Sequence, residues 1–151
     1  MSSECIFCKI ATGELPSYKI YQNSNYIAFL DIYPTLTGQT LVIPKKHVGS
    51  YAFDLEDNAL SDLVITSKKV AKLLERGLNV DRVYLVLEGS GVDHLHAKLY
   101  PAIGRKGQGF IEMHGNDHVR FEKYEGYLNT SMGPKAEEEE LKRVCDMIVR
   151  I

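Results

Sequence analysis

Apolar and polar positions follow a short strand-like rhythm early in the chain and then switch to a helical one. Tyr18 to Gln22 (Tyr-Lys-Ile-Tyr-Gln) and Tyr26 to Leu30 (Tyr-Ile-Ala-Phe-Leu) are β-prone runs. Asn23-Ser24-Asn25 lies between them, which predicts a hairpin. Gly13-Glu14-Leu15-Pro16 reads as a turn, and Thr40 to Ile43 is a third strand ended by Pro44. From Asp54 to Gly77 the apolar spacing becomes three, four and seven. Leu60, Leu63, Val64, Ala71 and Leu74 fall mostly on one face, which predicts a helix stopped at Gly77. Asp81 to Leu87 and His94 to Tyr100 predict a fourth and a fifth strand, the last closed by Pro101. After Pro134, Leu141, Val144, Cys145 and Ile148 share one face of a C-terminal helix. Glu137 to Glu140 lie at its N-terminal end, where the helix dipole favours anions. The segment from Gly104 to Gly133 yields no clear element. Strands outnumber helices and turn signals join several of them, so the fold class expected is α+β with an antiparallel sheet.

Composition narrows the picture. The chain has 151 residues and a mass of 17.0 kDa, one domain's worth. Hydrophobic residues make up 44% and charged residues 25%, enough for a real core and not the profile of a disordered chain. Lys and Arg number 18 against 20 Asp and Glu, a formal charge of −2, which disfavours a globally basic nucleic-acid binder. No apolar run reaches the roughly 18 residues that span a bilayer, and Met1 to Glu4 lacks a signal-peptide layout. A soluble, cytoplasmic protein with no membrane partner is expected. Cys5, Cys8 and Cys145 are an odd set that does not suggest a disulfide scaffold; two residues between Cys5 and Cys8 suit a metal or a redox pair better.

The chemistry concentrates in Val92-Asp93-His94-Leu95-His96-Ala97-Lys98-Leu99-Tyr100-Pro101. Alternation along a strand puts His94, His96 and Lys98 on one face, with Leu95, Ala97 and Leu99 on the other, core-directed face. The expected His96 imidazole is exposed on the sheet. A neutral imidazole can attack phosphorus or move protons near pH 7, and a lysine adds a positive charge for phosphate. The alternative is a structural histidine pair. Gly89-Ser90-Gly91, just upstream, offers backbone amides to phosphate oxygens, or is an ordinary turn. Cys5 and Cys8 can bind one Zn²⁺ if two more ligands join them, His47 and one histidine of the His94/His96 pair being the candidates. The alternatives there are a thiol redox pair or two buried thiols.

These motifs, in this order, resemble the histidine-triad nucleotide-binding family, particularly its zinc-containing prokaryotic members. The resemblance rests on Cys5-Ile-Phe-Cys-Lys-Ile-Ala-Thr-Gly-Glu-Leu-Pro16, Ala28-Phe-Leu-Asp-Ile32, Gly38-Gln-Thr-Leu-Val-Ile-Pro-Lys-Lys-His47 and His94-x-His96-x-Lys98-Leu-Tyr-Pro101. It runs from about Cys5 to Pro101, with residues 102–151 a C-terminal extension of a single domain spanning 1–151. Tyr124-Glu-Gly-Tyr127 and Gly133-Pro134 resemble a prokaryotic subgroup.

The resemblance implies a five-stranded antiparallel sheet with one main helix and a C-terminal helix, two copies pairing into a ten-stranded layer. It implies a purine nucleotide or dinucleotide as substrate, joined at phosphorus to an amine or a further phosphate. His96 would be the nucleophile that forms a nucleotidyl-histidine, and His94 would orient it or ligate zinc. Asp31 would hold the ribose hydroxyls, and Ile6, Phe7, Phe29 and Ile32 would surround the base. Gly89, Ser90 and Gly91 would meet phosphate. Cys5, Cys8, His47 and His94 would hold a structural Zn²⁺ that ties the N-terminus to the histidine strand.

One departure matters most. Lys98 stands where the family has its third histidine, which contacts the phosphate and the leaving group. Three functions are therefore weighed: a nucleotide hydrolase or transferase, a nucleotide-binding or sensing protein with little turnover, and a small zinc protein contacting nucleic acid or protein. The charge of −2 and the lack of a second Cys-x-x-Cys disfavour the third. His114 and His118 read as an exposed loop, or a lid. Arg105 and Lys106 read as solvated charges, or as contacts to a polyphosphate tail.

Overall fold

The computed structural model describes residues 5–109, with Glu137 and Glu139 beyond them. The chain divides into two units, Met1–Gly109 and Phe110–Ile151, the second outside the described residues save those two glutamates. There too lie the expected C-terminal helix, His114, His118, Cys145 and the Tyr124–Tyr127 and Gly133–Pro134 motifs.

The elements of the first unit are α1 (Ile6–Thr12), β1 (Lys19–Gln22), β2 (Tyr26–Leu30), β3 (Thr40–Pro44), α2 (Asp57–Gly77), β4 (Val83–Val86) and β5 (Ala97–Pro101). The five strands form one sheet in the order β1-β2-β3-β5-β4, antiparallel at every pairing. The β1–β2 hairpin forms as expected. Asn23 closes it, its side-chain oxygen accepting hydrogen bonds from the backbone N–H groups of Asn25 (2.9 Å) and Tyr26 (2.7 Å).

The sheet is covered on both faces. Tyr26, Ala28, Val42, Ala97 and Leu99 pack with Leu63, Val70 and Leu74 of α2. Ile27, Phe29, Leu41 and Ile43 pack with Phe7 and Ile10 of α1. Burial on both sides explains why β2 and β3 read as continuous apolar runs.

Four sequence expectations change. The helix α1 was not expected. It is only seven residues long, and Gly13, in the left-handed region at φ 83°, ends it by donating to the Ile10 carbonyl. The helix α2 begins at Asp57, after a single 3₁₀ turn at Ala52–Asp54. Val64 points outward, 41% exposed, because one helical step of about 100° separates it from buried Leu63. The buried stripe continues instead through Thr66, Ser67 and Val70, whose hydroxyl members do not register as apolar. Finally, β5 begins at Ala97, so His94 and His96 lie in the approach to the strand and not within its ladder. Among the described residues, no helix is long and apolar enough to cross a membrane.

Candidate active site

Three segments converge beneath the start of β5. The N–H of Leu95 donates to the Val48 carbonyl (2.9 Å), which ties the chain after β3 to the chain before β5. The ring of His94 is fully buried and its Nε2–H donates to the Pro44 carbonyl at 2.8 Å. A carbonyl only accepts, so Nε2 carries the proton and Nδ1 of the neutral ring keeps a bare lone pair. That Nδ1 lies 3.4 Å from the Cys5 sulfur and 3.6 Å from the Cys8 sulfur. His47 Nδ1 lies 3.4 Å from the Cys8 sulfur. All four ligand atoms fall within 4.8 Å of one another.

This cluster can hold a metal ion. Zinc–sulfur and zinc–nitrogen bonds of about 2.3 and 2.0 Å give a tetrahedral edge of roughly 3.5 Å between unlike ligands, close to the observed spacings. The His94 Nε2–H bond to a carbonyl is the outer contact that fixes a ligating imidazole. Burial, and then the neighbouring Cys5, push the Cys8 thiol above its ordinary range. Burial, with His47 and His96 adding to it, holds the His94 ring below its ordinary range against the opposing Pro44 hydrogen bond.

His96 is only 2% exposed, which corrects the expectation of an open imidazole on the sheet face. Phe7 packs edge-on against it, with ring centroids 5.5 Å apart, because α1 folds over that face. The ring nevertheless lines a cleft of about 860 Å³. Its Nδ1–H donates to the His94 carbonyl at 2.7 Å, so in the neutral ring Nε2 is the unprotonated nitrogen. An imidazole held in this way can act as a nucleophile or a base.

The rest of the cleft gathers most of the expected residues. Ile6, Phe7, Phe29, Asp31, Ile32, Ser90, His96 and Lys98 line it. Phe29 is at once core and cleft wall, 4% exposed, whereas Ile32 is 66% exposed and does not belong to the core. Gly89 and Gly91 do not line the cleft; nor do Arg105, which donates to Gln108, and Lys106, which pairs with Asp81. Gly89 has a backbone role. It lies in the left-handed region at φ 69°, and a Cβ there would stand 2.6 Å from the Ser50 carbonyl oxygen.

Two residues at the site have partners that sequence reasoning did not give, although Glu88 already stood out there as a carboxylate unhelpful to an anionic substrate unless it faces away. Gln39 is 4% exposed, and its amide donates to Asp31 Oδ2 at 2.6 Å. Its Oε1 accepts from the N–H (2.8 Å) and hydroxyl (3.0 Å) of Thr35, which fixes which end of the amide faces Asp31. The Tyr33 N–H holds the other Asp31 oxygen at 2.8 Å. The second is Glu88, whose carboxylate pairs with the Lys98 ammonium. Register explains the meeting: Val86 of β4 faces Lys98 of β5, and Glu88 is two residues further along. A buried amide beside an acid is a signal only once the loop from Asp31 to Gln39 is known to close on itself.

Comparison with known proteins agrees with the fold. The HIT domain matches residues 12–102. The chain is 38% identical over 114 residues to an uncharacterised HIT-like protein of Borreliella burgdorferi, covering 71% of this chain and 81% of the relative. It is 38% identical over 107 residues to the adenosine 5'-monophosphoramidase HNT1 of Saccharomyces cerevisiae, covering 67% of this chain and 64% of that protein. Among solved structures it is similar to a HIT-family member of Bacillus subtilis, with 27% identity, a TM-score of 0.67 and coverage of 98% of this chain and 96% of that one. It is also similar to a histidine triad protein of Clostridium difficile, with 33% identity, a TM-score of 0.58 and coverage of 68% and 93%. The chain belongs to the HIT domain family.

Proposed function

We propose that the chain is a nucleotide hydrolase or transferase that cleaves a dinucleoside polyphosphate or a nucleoside phosphoramidate at its α-phosphorus. The observation that carries this reading is the His96 ring, locked by its Nδ1–H bond to the His94 carbonyl at the wall of a cleft that also presents Asp31. Relatives named as adenosine 5'-monophosphoramidases support it. A cleft of 860 Å³ is of ordinary size for a small-molecule site.

In the first step Nε2 of His96 bonds to the α-phosphorus and the bond to the leaving group breaks. The leaving group departs with the electron pair and takes up a proton. Water then replaces His96 at phosphorus, loses a proton and frees the nucleoside monophosphate. Asp31, with each oxygen anchored from behind, accepts from the ribose hydroxyls. Ile6, Phe7, Phe29 and Ile32 hold the base, and Ser90 and Lys98 face phosphate.

Cys5, Cys8, His47 and His94 would hold Zn²⁺ as a closed structural site, as in the zinc-containing prokaryotic branch. It would supply a cross-link between α1 and the segment carrying His96. The reduced thiols it needs suit a cytoplasmic location. A homodimer belongs to the same reading. Among the described strands β4 is an edge, with Tyr84 and Leu85 exposed by 43% and 41%, and its free backbone suits pairing with a second copy.

The test is incubation with adenosine 5'-phosphoramidate and diadenosine tetraphosphate. Wild type should release the nucleoside monophosphate, and His96→Asn should not. Equal rates for the two proteins would refute the reading. The Lys98–Glu88 pair favours a second reading, a nucleotide-binding protein with little turnover, which predicts calorimetric binding of adenosine monophosphate without product release.

A further inference from the structure

We propose that Glu88 is a specificity-determining residue that, through its pairing with Lys98, discriminates against leaving groups carrying negative charge. The inference rests on the nucleotide reading above and asks which half of the substrate the site tolerates.

Charge around the cleft is the starting point. Among the described residues that line it, Asp31 and Lys98 are the ones with a full charge at neutral pH. Lys98 is therefore the cation available to a phosphate at that place, and its ammonium is already held by Glu88. The side chains of the pair are 21% and 18% exposed, so water and salt screen them less than a surface pair. Glu88 does not itself line the cleft; it stands directly behind Lys98, whose ammonium it holds, and the sheet register sets it there. Were the β4–β5 ladder continued beyond Val86 and Lys98, residue 88 would stand opposite His96.

A phosphate bound at His96 can still receive a hydrogen bond from Lys98, because an ammonium has three donors. Glu88 cancels its charge, and with Asp31 the surroundings carry one net negative charge while His96 is neutral. Arg105 and Lys106, the two cations considered for a polyphosphate tail, are outside the cleft; Lys106 is engaged by Asp81 and Arg105 by Gln108. A departing polyphosphate thus meets a carboxylate with its counter-charge already spent. A departing amine meets no such penalty, and once protonated it is attracted to Glu88.

The experiment compares kcat/KM for adenosine 5'-phosphoramidate and for diadenosine tetraphosphate in wild type and in Glu88→Gln. Calorimetry of adenosine monophosphate and adenosine triphosphate runs beside it, to read the same discrimination without turnover. Removing one carboxylate near the departing phosphates should raise the tetraphosphate/phosphoramidate ratio about tenfold, the order expected of one charge at this range in a partly buried site. The triphosphate/monophosphate affinity ratio should shift in the same direction. Glu88→Asp, which keeps the charge, should hold both ratios near those of wild type. Ratios unchanged in folded Glu88→Gln, or shifted as far in Glu88→Asp as in Glu88→Gln, would overturn the role of Glu88 and leave the nucleotide reading standing. Wild type that neither binds nor cleaves any of these compounds would overturn both.

Discussion

Replacing Gln39 with leucine keeps volume and removes three hydrogen bonds at once. Its amide stops donating to Asp31 (2.6 Å), and the Thr35 N–H and hydroxyl lose the oxygen they share (2.8 and 3.0 Å). A buried donor left without a partner costs about 1–3 kcal/mol. Gln39 is 4% exposed, so water does not readily replace its oxygen, whereas Asp31 is only half-buried and regains part of its loss from solvent. The sum expected is about 2 kcal/mol of stability, or a melting temperature lower by roughly 10 °C in a unit of this size. Function should change in a particular way. A carboxylate freed on one side loses about one hydrogen bond's worth of preorganisation toward the sugar, ~1 kcal/mol. Wild type should therefore prefer adenosine monophosphate over its 2'-deoxy form, and Gln39→Leu should narrow that preference about fivefold. Thermal melts and calorimetry with both nucleotides read the two effects. A variant that keeps the wild-type melting temperature, and the same ribose preference, would refute the reasoning that Gln39 holds Asp31.

Three further predictions follow from the same geometry. Cys8→Ser should lower bound metal below one ion per chain by elemental analysis, and lower the melting temperature as α1 loses its tether; metal content equal to wild type would count against the ligand set. Gly89→Ala should cost about 1–2 kcal/mol, because φ is 69° and the new Cβ would stand 2.6 Å from the Ser50 carbonyl; urea unfolding identical to wild type would contradict it. The Tyr100 phenol is pushed above its usual 10 by burial first, with Glu88 and Asp31 adding and Lys98 opposing. The unfolded chain then ionises before the folded one, so this contribution is intact below pH 10 and is lost as pH rises through the higher folded value. Tyr100→Phe should flatten that alkaline loss, and an unchanged pH profile would contradict it.

Much of this was legible in the sequence, for physical reasons visible in single residues. Asn23 marked its hairpin because its side chain builds the turn, and Gly77 ended α2 as read. The expected metal ligands Cys5, Cys8, His47 and His94 do converge, and the HIT motif order put Asp31 and His96 on one cleft. What failed has equally local causes. Seven residues are too few for α1 to announce itself by periodicity, and it is this helix, through Phe7, that buries His96. Strand alternation gave the right partners for His96 and Lys98; it also placed His94 on their face, and there the expected metal set was the better guide, because β5 does not begin until Ala97 and His94 lies against the cysteines. The partners of Gln39 and Glu88 were illegible because they depend on which side chain lies opposite, and that is set by loop closure and register.

The central claim is that the His96 nitrogen, and not water, makes the first attack on phosphorus. Configuration at phosphorus tests it most directly. A phosphorothioate analogue of adenosine 5'-phosphoramidate, of one handedness at phosphorus, is hydrolysed in water carrying a heavy oxygen isotope, and the product's handedness is read. Two successive in-line displacements, through a nucleotidyl-histidine, predict overall retention. Inversion would mean a single direct attack by water and would contradict the account.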